Sequence, residues 1–328
     1  MSVTSQIDRI QANIEDCYEA CEERGARMPT VENSNNLPPT IYSIKKLSPT
    51  YAYTGVYQHA YDEDGDWMIY LLSSGTLTFT ASTEDTFDAF LVGGGGSGVT
   101  GNYYQAGAGG GGGGYTQTYT DIPLTLNDAY TAVVGAGGSN SDIYNGADGG
   151  STSFSYGSTT YTVNGGTHGE QNRTAGLPNG GEGGYSTTPG EDGGDGAYAF
   201  GSSDYAQYGG GGGGGAGYKS VTVSSTTQIT AAYLISLGYP ASTANRIVAT
   251  YAANGWSTDV TSSSSVSVYS TGGAGGAGGG GDGAGVDLSV AGSGEANTGG
   301  GGGGACLGGG KTTPGAGGSG VVIIRKHK

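Results

Sequence analysis

Solid runs of glycine dominate this chain: Gly93–Gly96, Gly109–Gly114, Gly209–Gly215, Gly278–Gly281 and Gly299–Gly304, separated by short tyrosine-bearing segments. Four of the 72 glycines precede residue 93 and the other 68 lie within 93–320. Little side chain is left there from which to build a core. A flexible linker is one outcome of such a composition, because glycine loses the most backbone freedom on folding. A linker, however, has little use for 24 tyrosines, most of them here. Nor does it need β-type pieces such as Phe90-Leu91-Val92, Tyr130 to Val134 and Tyr161-Thr162-Val163. The stretch also closes on the apolar run Val321-Val322-Ile323-Ile324, which reads as a buried terminal strand.

Order in polyglycine has to come from backbone groups. An extended helix of the polyproline II kind has three residues per turn, with its N–H and C=O groups pointing outward. It cannot satisfy itself, but helices packed side by side can donate and accept between neighbours, since glycine lets backbones approach on all sides. Runs of similar length meet that need. Collagen is excluded by the lack of a strict Gly-X-Y repeat and by only nine prolines.

The order of the pieces carries a resemblance. Gly75-Thr76-Leu77-Thr78-Phe79-Thr80 is followed by Phe90-Leu91-Val92 entering Gly93 to Gly96, then by Gly109 to Gly114 before Tyr115. Tyr130 to Gly138, Asp148 to Phe154 and the ending Gly317 to Arg325 continue it. The stretch from Ser74 onward resembles the glycine-rich domain of bacteriophage tail-fibre and receptor-binding proteins, and is similar to the tip adhesins of T-even-type phages. That resemblance implies a packed polyglycine II block that displays recognition loops, and host attachment through a non-catalytic surface.

At the N-terminus Val3, Ile7, Ile10, Ile14, Cys17 and Cys21 are spaced as the a and d seam of a coiled coil, ending before Gly25 and Pro29. Isoleucine at both positions favours three strands, so the expectation is a homotrimer. The alternative is one amphipathic helix packed on its own domain or on a partner. Such a helix, followed by an Asn- and Pro-rich stretch, also resembles the attachment segments of phage structural proteins, which implies a join to other virion proteins. Residues 41–92 read as a small β module: Ile41 to Ile44, Tyr51 to Tyr57, and a hairpin of Trp67–Leu72 with Thr76–Thr80. The acidic turn Asp62 to Asp66 lacks the glutamate a calcium loop needs at its twelfth position, where Ser73 stands.

Lys219 to Thr271 contains just two glycines, Gly238 and Gly255, and reads as an insertion. Thr227–Leu237 and Ser242–Ala253 have helical apolar spacing, and Val221-Thr222-Val223 could pair with Val266-Ser267-Val268 as its neck. The expected fold is mainly β and irregular: a coiled-coil helix (1–28), a linker (29–40), the β module (41–92), a polyglycine II sandwich (93–320) with its helical insertion (219–271), and a closing strand with a basic tail (321–328).

Net charge is −16, and residues 93–310 carry only Arg173, Lys219 and Arg246 as basic groups. Phosphate neutralisation is beyond such a surface, so no nucleic-acid partner is expected. The three histidines, His59, His168 and His327, lie far apart, and Cys306 is distant from the seam cysteines. No metal, cofactor or enzymatic activity is expected; Glu191 and Asp192 read as turn formers rather than a glycosidase pair. No apolar leader and no run of 18 apolar residues is present, so membrane insertion is not expected. A virion component assembled in the bacterial cytoplasm fits this reading.

Tyrosine with Ser, Gly and Asn is the composition of antibody recognition loops, where it gives large amphipathic contacts at low entropy cost. The candidate receptor-binding residues are therefore Tyr103 and Tyr104; Tyr198, Phe200, Tyr205 and Tyr208; and Tyr233, Tyr239, Tyr251 and Trp256 in the insertion. A bacterial surface glycan and an outer protein loop would use the same side chains. The expected function is a tail-fibre adhesin; the alternative is a structural or capsid-decorating head fibre with little host affinity.

Overall fold

A computed structural model describes residues 3–327 except 24–28, 38–47, 62–65, 83, 102–105, 142–143, 223–225, 261–264, 287–289 and 307–312. The expected strand Ile41–Ile44 and most of the acidic turn lie outside the described residues. So do Tyr103, Tyr104 and the side chains of Val3 and Cys21. The chain is mainly β.

Nine strands precede residue 164: β1 (Thr50–Tyr53), β2 (Tyr57–Tyr61), β3 (Trp67–Leu71), β4 (Gly75–Ala81), β5 (Thr86–Val92), β6 (Thr116–Pro123), β7 (Ala129–Val133), β8 (Thr152–Tyr156) and β9 (Thr159–Val163). Together with the C-terminal strand Val321–Lys326 they make two antiparallel five-stranded sheets. One runs β1-β4-β7-β8-β9; the other runs β2-β3, the C-terminal strand, β5-β6. Trp67, Leu71, Phe79, Phe87, Leu91, Tyr130, Phe154, Val322 and Ile324 form a common core.

The burial patterns explain the order. In β7, Tyr130 and Ala132 are buried while Ala129, Thr131 and Val133 are exposed, the alternation of a sheet wet on one side. In β5 every residue after Thr86 is buried, and Val321 to Ile324 are buried as well. Their second face is covered: Phe90, Val92, Val321 and Ile323 pack with Met68, Ala199 and Tyr208 in a separate cluster. The closing strand thus sits at the centre of its sheet, Val322 opposite both Leu71 and Leu91.

Two expectations are corrected by these sheets. Trp67–Leu72 and Thr76–Thr80 do not form a hairpin: β3 and β4 belong to different sheets, and the chain crosses between them at Leu72–Ser74. The physical reason is visible in the sequence, since Trp67-Met68-Ile69 is buried on consecutive residues whereas β4 alternates. The composition shift near residue 92 does not part the sheets either, because β7, β8 and β9 extend the sheet that holds β1 and β4.

The glycine runs beyond the sandwich exchange backbone hydrogen bonds with a period of three. From Gly93 to Gly98 successive N–H groups donate to Tyr115, Gly150, Gly318, Gly112, Ala147 and Gly315 at 2.8–3.0 Å. Residues 93 and 96 address one neighbour, 94 and 97 a second, 95 and 98 a third. In return the carbonyls of this run accept from Gly166 and Gly169, from Gly138 and from Gly302, and the next carbonyl, that of Val99, accepts from Ala305. Gly211–Ala216 repeats the scheme: 212 and 215 donate to 111 and 108, 213 and 216 to 281 and 284, 211 and 214 to 194 and 191. Both of these runs are surrounded by six segments, three that each donates to and three that donate to it. A methyl group added at Gly111 would run into the carbonyl of Gly96, so the spacing admits no side chain at that position.

Acidic side chains finish the edges of this array. Asp192 Oδ1 accepts from Ala274 N at 2.7 Å and Asp195 Oδ1 from Ala277 N at 2.9 Å, again three residues apart on both segments. Asp192 therefore supplies an acceptor where a backbone carbonyl is missing. This gives the Glu191-Asp192 turn a structural role.

Helix α1 (Val3–Glu23) exposes Ile7 at 60%, Ile10 at 59% and also Cys17, while Ile14 is half-buried. Among its described side chains Tyr18 is the buried one, and its hydroxyl donates to Asn33 O at 2.7 Å. In the insertion, Tyr218–Thr222 pairs with Ser265–Tyr269 as a neck, with Val221 opposite Val266. Above it lie α2 (Ala231–Ser236) and α3 (Ala241–Ala253). Thr230 caps α2 by accepting from Tyr233 N, and Lys219 Nζ donates to Leu237 O at 2.8 Å at its other end.

Candidate binding surface

The loop 196–209 folds over the sheet as a flap closed by the antiparallel pairing of Ala197 with Tyr208 and Tyr198 with Gln207. Phe200 takes a left-handed backbone (φ 54°, ψ 18°), rare for a bulky residue, and its ring lies 5.7 Å from that of Phe90. What holds it there is Arg325 of the C-terminal strand. The guanidinium carbon sits 4.0 Å from the Phe200 ring centre and 5.4 Å from that of Tyr205, and Nη1 donates to the Tyr205 hydroxyl at 3.1 Å.

The same guanidinium donates through Nε and Nη2 to Asp88 Oδ2, both at 3.3 Å, and the Asp88 side chain is 2% exposed. His327 Nδ1 meets the other Asp88 oxygen at 2.6 Å, and its Nε2 lies 3.1 Å from Asp121 Oδ1. The hydrogen bond to Asp88 raises the His327 pKa above its ordinary value, aided by the charges of Asp88 and Asp121 and opposed by desolvation and Arg325. A buried carboxylate is thus paired with two C-terminal side chains, and the flap is stapled to the end of the chain.

These contacts sort the sequence candidates. Tyr198 is exposed at 42%. Phe200 and Tyr205 are half-buried against Arg325 and the sheet. Tyr208 is a correction: it is buried, stands 5.7 Å from Phe90, and burial pushes its phenol up to about 12. Tyr239 is a second correction. It lies in the insertion's own core with Ile229, Leu234 and Ile247, and its hydroxyl donates to Val268 O at 2.6 Å. Burial raises its pKa strongly. Both candidates fail as surface contacts because each ring is drawn into an apolar cluster, Tyr208 with Phe90 and Ile323 beneath the flap and Tyr239 with Leu234 and Ile247 inside the insertion. Tyr233 and Tyr251 are half-buried against the same core, and Trp256 is exposed at 45%, edge-on to Tyr251 at 5.4 Å.

The sequence reading missed Asp88, Arg325 and His327. Its available signal was a lone carboxylate inside the apolar run Phe87–Val92 and a lone guanidinium beside Val321–Ile324, charges that a buried strand tolerates only when paired.

Among the described residues no cluster of three His, Cys, Asp or Glu side chains is positioned to hold a metal ion, and no helix is long and apolar enough to cross a membrane. Residues 72–327 match a family model described as a glycine-rich domain, which covers more than three quarters of the chain. No curated protein matches it.

Proposed function

Since the chain belongs to this glycine-rich domain family, we propose that it is a non-enzymatic bacteriophage fibre protein, a tail-fibre-type adhesin that attaches to the bacterial host surface. Its glycine runs form a polyglycine II block, and the surface displayed on that block makes the contact. One observation carries this reading: the period-three hydrogen bonding of glycine runs to six neighbours. A helix with three residues per turn returns each donor to the same neighbour every third residue. Such a block is rigid without side chains, so the aromatic segments between its runs are free for recognition.

The exposed Ile7 and Ile10 on α1 support assembly as a homotrimer through the seam, with other virion proteins bound at the same end. Three copies per fibre turn weak individual sites into strong attachment. Tyr198 and Trp256 are the exposed aromatic contacts among the described candidates. A second reading, a structural or head-decorating fibre, is favoured by the packing of Phe200, Tyr205, Tyr208 and Tyr239 within the chain.

Binding of the purified, fluorescently labelled protein to candidate host cells, in competition with intact particles, separates the two. Saturable binding that blocks adsorption supports the adhesin. A folded trimer that does not bind supports the structural fibre.

A further inference from the structure

An open cleft of about 510 Å³ lies where the β8–β9 hairpin meets the end of β6, lined by Pro123, Asp128, Tyr156, Ser158, Thr159 and Tyr161. None of these residues is among the candidates above. Its volume falls within the range of about 300–1,000 Å³ usual for small-ligand sites.

The lining is built on fixed backbone. Tyr156 pairs with Thr159 across the two-residue loop Gly157-Ser158, and Gly157 takes a φ of +56°, as a tight hairpin turn opening on glycine requires. The Tyr156 ring is stacked on the buried Tyr130 with centres 4.7 Å apart and planes 18° from parallel. Its hydroxyl lies 2.7 Å from Thr125 Oγ1 and donates to Asp128 Oδ2 at 3.2 Å. Tyr130 in turn donates to Pro123 O at 2.6 Å and accepts from Thr125 N, which pins the turn that carries the carboxylate. On the other side the Tyr161 ring rests 4.7 Å from Tyr119, whose hydroxyl donates to Thr162 O at 3.1 Å.

The cleft therefore joins two half-buried aromatic rings, each backed by another tyrosine, with one exposed carboxylate and the hydroxyls of Ser158 and Thr159. A pyranose ring matches this chemistry. Its C–H face packs on an aromatic ring while its hydroxyls donate to a carboxylate and exchange hydrogen bonds with Ser and Thr. Preorganised aromatic and acceptor groups reduce the ordering cost that weakens small, polar ligands. The charge of −16, with Asp128 at the site, disfavours acidic sugars.

We propose that this cleft binds an uncharged hexopyranose unit of a saccharide. The site stands apart from the attachment reading, since it needs neither virion nor cell.

Saturation-transfer-difference NMR on the full chain tests it, with methyl β-D-galactopyranoside, methyl α-D-glucopyranoside and N-acetylglucosamine, each at about 10 mM for a dissociation constant near 1 mM. Transfer from tyrosine ring protons to the sugar C–H groups is expected for at least one of the three. Asp128→Ala should weaken binding about tenfold or more, the usual effect of removing a hydrogen bond to a charged group. Tyr161→Ala should abolish the transfer. Ser158→Trp, at an exposed turn position, fills the cleft without removing a packed atom and decides the matter should Tyr161→Ala not fold.

Absence of transfer to all three sugars in the wild-type protein overturns the proposal. So does transfer that persists unchanged in both Asp128→Ala and Ser158→Trp. Sugar binding without cell adsorption would uphold the cleft while removing the adhesin; cell adsorption without sugar binding would do the reverse.

Discussion

Gly212 is the position where a single methyl group most directly probes the glycine block. Its N–H donates to Gly111 O at 2.9 Å and its carbonyl accepts from Gly181 N at 2.8 Å, so its own segment is held from two sides. A Cβ there would overlap the carbonyl of Gly302. Gly302 cannot yield alone, because Gly301, Gly302 and Gly304 donate to Gly210, Gly96 and Gly213. Displacing that segment weakens about three backbone hydrogen bonds, each with a net worth of about 1 kcal/mol.

Against this stands the entropic gain of Gly→Ala in the unfolded chain, about 0.4–1 kcal/mol. The clash wins, and Gly212→Ala should be destabilised by about 2 kcal/mol, inside the usual range for overpacking. For a chain of this size that lowers the thermal midpoint by on the order of 5 °C. The comparison is Gly255→Ala, where φ is +65° and nothing lies within 4 Å of an added Cβ. There only the left-handed backbone opposes the change, at about 1 kcal/mol. Thermal unfolding followed by circular dichroism decides. A Gly212→Ala protein as stable as the wild type, or more so, would refute close backbone packing.

Other expectations follow from the remaining sites. Asp88 raises the His327 pKa, so the stability that the protonated ring contributes is complete below its ordinary pKa of 6.5 and is lost as pH rises through the raised folded value. A proton NMR titration of His327 giving a pKa at or below 6.5 would contradict the clamp. Ile7→Asp combined with Ile10→Asp should convert a trimer to a monomer in analytical ultracentrifugation; a wild-type protein that is itself monomeric would remove the seam. Tyr198→Ala with Trp256→Ala should leave the thermal midpoint within about 2 °C, as exposed substitutions usually do, yet reduce adsorption to host cells. Unchanged adsorption would eliminate both contacts.

Much of the architecture was legible because it follows from local pattern. Continuous apolar runs in β5 and in Val321–Ile324 announce strands covered on both faces, and the drop in glycine marks the insertion, whose neck and two helices lie close to the expected positions. Pairing between strands was less legible. β3 and β4 are neighbours in sequence but are drawn into different sheets, a choice made by partners as distant as Val322 and Tyr130. The neighbours within the glycine block were not legible at all, since the runs are chemically identical and Gly211–Ala216 takes its six partners from segments spread between residues 108 and 304.

Tyr198 and Tyr208 show the same limit among the candidates. Both stand in one Gly-, Ser- and Tyr-rich loop, and only the fold of the flap over Phe90 buries one and exposes the other. Composition identifies such a loop, whereas the direction of each ring depends on backbone pairing.

Amide hydrogen exchange measures directly whether the packed glycine runs are ordered by backbone hydrogen bonds to six neighbours. Gly95, Gly96, Gly111, Gly112, Gly212 and Gly213, all donors inside the block, should be protected as strongly as the core amides of β5 and the C-terminal strand. Exchange at the rate of an unstructured chain in these glycines, with the sandwich still protected, would show that the runs are not held by their neighbours.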